Sequence, residues 1–192
     1  MLDEYLGADP GDPRSLNGWL GRNLLAPTGF DRARLVAFDA LAADPDAEAA
    51  RIDAVVAAAG GLDLLLLGLG RNGHLGFNEP GSPQDGPSHV VTLTADSIDA
   101  NAAHRGGADR VPRRAITLGL GTSATARSVL VLVAGTAKAA ILARALEGPV
   151  EPEVPVSWLQ GRATGTIHAD RAAAAAPRRP AASSPPGDLA PS

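Results

Sequence analysis

Five short apolar runs constrain the fold of this 192-residue chain more than anything else in it. "LDLLLLGLG", "HVVTLT", "RAITLGL" and "SVLVLVAG" are rich in Leu, Val and Ile, and "ATGTIHAD" is a weaker fifth. A continuous apolar run of this length is the pattern of a strand buried on both faces. Between the runs lie "ADSIDANAAHR", "GTSATAR" and the helical "TAKAAILARALEG". Strands alternating with helices predict an α/β fold with an open, mostly parallel, Rossmann-like sheet carrying helices on both faces. Two more helices are expected ahead of the first strand. "SLNGWLGRNLL" offers Ser15 as N-cap, with Leu16, Trp19, Leu20 and Leu24 at helical spacing. "DPDAEAARIDAVVAAAGG" offers Asp44 as N-cap, Pro45 at the first helical position, early acids, and Gly60 to end it.

Aromatic residues make up only 3% of the chain, so its core must be built mainly of Leu, Val, Ile and Ala. The length suits one domain with a sizeable core. A formal charge of -4 with interspersed signs provides no basic field for nucleic acid. There is no cysteine, which removes disulfides, thiolate metal sites and a cysteine nucleophile, and fits a reducing cytoplasm. The first residues have no signal-peptide pattern, and no apolar run is long enough to span a bilayer. From Arg171 the chain turns to Ala and Pro with almost no large apolar residue, so 171–192 is expected to be a disordered tail behind a domain at 1–170.

The loop after the first strand, "LGLGRNGHLGFNEPGSP", is the candidate site. In an open parallel sheet the carboxyl ends of the strands form the crevice where ligands bind. Gly68, Gly70 and Gly73 satisfy G-x-G-x-x-G as letters, but "GHLGFNEP" does not continue as a helix, so no dinucleotide site is expected. His74 with Glu79 five residues later can form an acid/base pair: the imidazole exchanges protons near neutral pH and a carboxylate can fix its tautomer. A loop histidine satisfied by a carbonyl, beside a capping glutamate, explains the same letters.

The loop strongly resembles the signature of the glucosamine-6-phosphate deaminase/isomerase family, and the form N-G-H-L-G-F-N-E-P resembles most its galactosamine-6-phosphate branch. The similarity continues through "RAITLGLGT" and "VLVLVAGTAKAAILARALEG" to "VPVSWL", and back to "LDEYLG" and "SLNGWLGRNLL". It implies an enzyme that opens a phosphorylated amino-sugar ring, isomerises aldose to ketose and releases ammonia. His74 then hands a proton to the ring oxygen, Glu79 orients it, and Asp3 shuttles a proton between C2 and C1. Lys138 contacts the phosphate, and Asn72 and Gly73 belong to the substrate loop. Asn72 stands where the glucosamine branch has an aspartate, which the resemblance links to specificity. The phosphate-holding arginines and lysine of that branch fall at about His89, Val91 and Ile98, leaving His89 as the residue of the three able to contact a phosphate. No metal and no cofactor is implied. The partner is a small-molecule amino-sugar phosphate, with neither nucleic acid nor membrane, and self-association is open. Family members carry a further strand-and-helix portion with a P-T-G phosphate loop ahead of "DEY", so the resemblance implies a domain truncated at its N-terminus. "PTGF" at Pro27 is read as a turn. Two alternatives stand beside this reading: an inactive sugar-phosphate-binding or regulatory relative, and a hydrolase like 6-phosphogluconolactonase, against which Phe77 to Pro80 count.

Overall fold

The computed structural model describes residues 1–175. All five apolar runs form strands, joined by a sixth at the start of the chain. The strands are β1 (Asp3–Tyr5), β2 (Leu64–Gly68), β3 (His89–Thr92), β4 (Arg114–Thr117), β5 (Ser128–Val133) and β6 (Gly165–Ala169). The helices are α1 (Leu16–Leu20), α2 (Pro45–Ala58), α3 (Ala95–Arg105), α4 (Leu120–Ser123) and α5 (Ala139–Glu147). Short 3-10 turns, among them Thr136–Lys138 and Pro155–Leu159, complete the connections.

The start signals act as their chemistry requires. Asp44 accepts from the N–H groups of Asp46 and Ala47 at the head of α2, with Pro45 in the first turn. Ser15 caps α1 by accepting from Gly18 N–H at 2.8 Å. The helix runs on through a π-helical turn, Gly21–Leu25, and the changed period shifts its buried face. Leu25 is buried, whereas Trp19 and Leu24 of the expected apolar stripe are exposed. "PTGF" lies in a turn, as expected.

The sheet expectation needs correction. There are two open three-stranded sheets, β2-β5-β6 parallel and β1-β4-β3 antiparallel. Strands separated by a helix are expected to be parallel neighbours, yet β3 and β4 are antiparallel despite α3 between them. After α3 the chain turns at Gly106 and runs on through a 3-10 turn to residue 113. That extra leg is long enough to cross a four-residue strand of about 13 Å and reverse the entry into β4. The coverage expectation fails too. Leu65 and Leu67 are buried, but their alternates Leu64 (59% exposed) and Leu66 (49%) are not, and neither is Leu132 on β5 (51%). Among the described residues, helices therefore do not cover this face of the parallel sheet.

Two apolar clusters form the core. The larger packs β2, β4 and β5 with α5 and the turn Pro155–Leu159, and the smaller gathers Tyr5, Phe77, Leu93, Val111 and Ala115 on the antiparallel sheet. Leu, Val, Ile and Ala dominate both. Ala173, inside the expected tail, is 1% exposed within the larger cluster, and its N–H donates to Asp170 at 2.7 Å. Packing therefore continues past residue 170, and the rest of the tail, 176–192, lies outside the described residues.

Buried Glu4 ties β1 to the head of α1. Its carboxylate accepts from the N–H groups of Tyr5 (2.9 Å), Leu16 (3.0 Å) and Asn17 (2.8 Å). Glu4→Ala would leave these donors unsatisfied, at a cost of about 1–3 kcal/mol. Thermal unfolding should show a clearly lower midpoint than the parent, and an unchanged midpoint would contradict this role.

Candidate active site

The loop from Leu69 to Ser88 is sewn into both cores. Leu75 enters the larger cluster and Phe77 the smaller. Gly76 between them has φ +61, and a Cβ there would meet Leu2, Thr117 and Asp3 at 2.9–3.3 Å. Only glycine brings the loop this close to β1. Phe77 N–H donates to Thr117 Oγ1 (3.1 Å), and Asn78 Nδ2 donates to the carbonyls of Leu75 and Leu118 (2.9 Å each). The strand end β2 thus leads into a rigid loop rather than a helix, which disposes of the dinucleotide reading of its glycines.

His74 projects from this loop into a cleft of about 430 Å³. Its ring lies on Gly70, where a Cβ would come within 2.4 Å of the imidazole, so a bare backbone is the seat of the ring. Asp3, Arg71, His104 and Lys138 line the same cleft. Glu79 stands behind the histidine, nearly buried, with Oε2 3.7 Å from His74 Nδ1. Asn72 Nδ2 donates to Glu79 Oε2 (2.7 Å), and Thr94 donates its N–H to Oε1 and its hydroxyl to Oε2 (3.2 Å each). Burial would raise the carboxyl, but contacts with His74, Ser97, Asn72 and Thr94 N–H outweigh it and hold Glu79 down at about 2. Glu79 is a fixed anion at the back of the imidazole. Asp3 is the opposite case. Burial, and then the adjacent Glu4 carboxylate, push it up to about 7 against the pull of the amino terminus. A carboxyl titrating near neutrality can both take and return a proton.

The expected residues divide. Asp3, His74 and Lys138 meet on the cleft, and Glu79 supports His74 from behind. Asn72, Gly73 and His89, expected to bind substrate, are not on the cleft wall. The Asn72 amide is occupied by Glu79, by Thr94 Oγ1 (3.2 Å) and by His74 N–H (3.2 Å). Gly73 packs toward Ile141 and Val154 and accepts from Val156 N–H at 2.9 Å. His89 turns Nδ1 to the Pro87 carbonyl at 3.0 Å on β3. Val91 and Ile98 pack against the smaller core cluster. Sequence reasoning missed Arg71, next to Asn72. Its guanidinium binds Asp99 Oδ2 at 2.9 Å and Asp96 Oδ1 at 3.2 Å, in the first turns of α3. The signal was an arginine inside a glycine loop at a strand end, beside a lysine expected to hold phosphate. Burial, and then the Arg71 charge, lower Lys138.

An α/β frame that places an imidazole, a near-neutral carboxylate and two cations on one cleft defines an acid–base site for a small anionic ligand. The chain belongs to the family of glucosamine-6-phosphate isomerases and 6-phosphogluconolactonases, whose model matches residues 2–168. Glucosamine-6-phosphate deaminase of Rhodopirellula baltica is 41% identical over 173 residues, covering 90% of this chain and 69% of the relative. The enzyme of that name from Geobacillus is 39% identical over 170 residues, covering 88% and 68%. A solved monomeric glucosamine-6-phosphate deaminase superposes with TM-score 0.87 at 36% identity, covering 90% of this chain and 72% of that one. The 6-phosphogluconolactonase of Leishmania guyanensis shares the fold alone, at TM-score 0.65 and 21% identity. These relatives do not support the expected leaning toward the galactosamine branch.

Folding disfavours ionised Asp3, so the stability it leaves intact below about pH 4 is lost as pH rises through about 7. Asp3→Asn should therefore unfold at a higher temperature than the parent at pH 8, with the gap closing toward pH 4. A gap that does not change with pH would refute the poorly solvated, partly buried placement of this carboxyl.

Proposed function

We propose that the chain is a glucosamine-6-phosphate deaminase, converting that sugar phosphate and water to the ketose 6-phosphate and ammonia. The observation that carries this is the meeting of His74, Asp3, Arg71 and Lys138 on one cleft. His74, backed by Glu79, takes the proton of the anomeric hydroxyl on its cleft-facing nitrogen and passes it to the ring oxygen, which opens the ring. Asp3 removes the proton from C2 and delivers it to C1, which leaves an imine at C2. Water adds there and ammonia departs. A carboxyl near 7 suits the shuttle, since a catalytic acid–base group works best when its pKa lies near the working pH.

Arg71 and Lys138 hold the phosphate. Burial and the Arg71 charge disfavour the Lys138 cation, and a phosphate dianion beside the two would restore it. In this reading Arg71 takes over from the basic residues replaced at Val91 and Ile98. Asn72 supports Glu79, where an aspartate would set carboxylate against carboxylate unless a proton bridged them.

Ammonia release from glucosamine-6-phosphate, galactosamine-6-phosphate and 6-phosphogluconolactone hydrolysis are the assays that separate the readings. Turnover confined to the first supports the proposal. Turnover of the galactosamine epimer instead restores the branch first expected, lactone hydrolysis alone makes the chain a lactonase, and silence with ligand binding marks an inactive relative. His74→Ala should lower kcat by roughly 10²–10⁴ with the melting temperature little changed. Arg71→Ala should act mainly on KM, raising it on the order of tenfold or more, as expected for a lost charged hydrogen bond. An unaltered KM would remove Arg71 from the phosphate site.

A further inference from the structure

We propose that Ser97, in the first turn of α3, is the positioning residue that sets the tautomer of His74. The inference rests on the reading of His74 as the ring-opening acid, and it concerns how that acid is held. The atom in hydrogen-bond contact with His74 Nδ1 is not a carboxylate oxygen. It is Ser97 Oγ, at 3.1 Å, while Glu79 Oε2 stands back at 3.7 Å. Ser97 is 0% exposed, so no water competes for its hydroxyl. Its backbone is fixed at both ends: its N–H donates to Thr94 Oγ1 (3.2 Å), and its carbonyl accepts from Asn101 Nδ2 (2.8 Å).

One proton arrangement satisfies all three side chains. Nδ1–H donates to Ser97 Oγ, and the serine hydroxyl is left to turn toward the Glu79 carboxylate, which stands 3.7 Å from the same Nδ1. The reverse arrangement would aim the hydroxyl at a bare Nδ1 and leave the nearby anion without that donor. The anion thus polarises the imidazole through the hydroxyl as well as across the 3.7 Å gap, and Nε2 remains for the cleft. The same helix start serves both members of the pair, since Thr94 caps α3 and also holds Glu79. Ser97 does not touch the reacting atoms. It keeps the right nitrogen facing them.

The test has two independent readouts. Nitrogen-15 NMR of the imidazoles in the intact chain, with the His74 signal assigned by its absence from His74→Ala, reports the tautomer without any substrate. The parent and Ser97→Thr should show the Nδ1–H form, and Ser97→Ala a mixture or the Nε2–H form. Ammonia release from glucosamine-6-phosphate should fall on the order of ten- to a hundredfold in kcat for Ser97→Ala, as expected for a misplaced catalytic group, with KM little changed and Ser97→Thr restoring the rate. An Nε2–H form in the parent overturns the proposal without any variant, so it remains testable even if Ser97→Ala does not fold. A Nδ1–H form that persists in Ser97→Ala, or a kcat that does not fall, also overturns it. If the tautomer responds as stated while neither parent nor variant releases ammonia, the positioning role stands and the reaction assignment falls.

Discussion

The carboxylate of Glu79 is the anchor on which the site depends. It lies nearly buried and collects hydrogen bonds from Asn72 on its own loop and from Thr94 at the head of α3. A buried charge is tolerable only with such donors around it, so the loop and the helix are held together by the need to satisfy one anion. His74 inherits its position from that arrangement. The anchor has an acid limit: with Glu79 held at about 2 against an ordinary 4.5, its contribution is complete above pH 4.5 and drains away as pH falls toward 2.

Around this anchor the chain is arranged by small sterics as much as by charge. Gly70 gives the imidazole a flat seat, and Gly76 lets β1 approach until Asp3 reaches the cleft. Leu75 and Phe77 point into different cores on either side of Gly76. A loop rooted in two cores can hold an acid–base pair without regular secondary structure of its own, which is what precise positioning of catalytic groups requires.

Much of this was legible in the sequence. Strand positions follow from short apolar runs, and the helix starts at Asp44 and Ser15 follow from cap chemistry, because both are local effects. Strand direction was not legible. The stretch between β3 and β4 specifies a helix, but the turn after Gly106, which reverses the chain, leaves no periodic mark. Nor was the burial of "LDLLLLGLG" on one face only, since a run of leucines reads the same whatever covers it. For the candidate site, the resemblance pointed to His74, Glu79, Asp3 and Lys138, and the structure sets Asp3, His74 and Lys138 on one cleft with Glu79 behind His74 and the Asn72 amide on Glu79. A residue two positions from the cleft histidine can turn away from the cleft, and here the amide meets the carboxylate instead. The contacts of Arg71 and of Ser97 were not legible because they arise from α3 folding over the loop, 28 and 23 residues apart in sequence.

The outward leucines of the parallel sheet, Leu64, Leu66 and Leu132, give the molecule a thermal signature of its own. Water ordered against that face contributes heat capacity to the native state, so unfolding exposes less new apolar surface than a fully covered sheet would. The stability curve is correspondingly flatter. Any surface that comes to rest on those leucines draws its attraction from the release of this water. Such an attachment strengthens on warming and in sulfate-type salts, and it loosens in the cold.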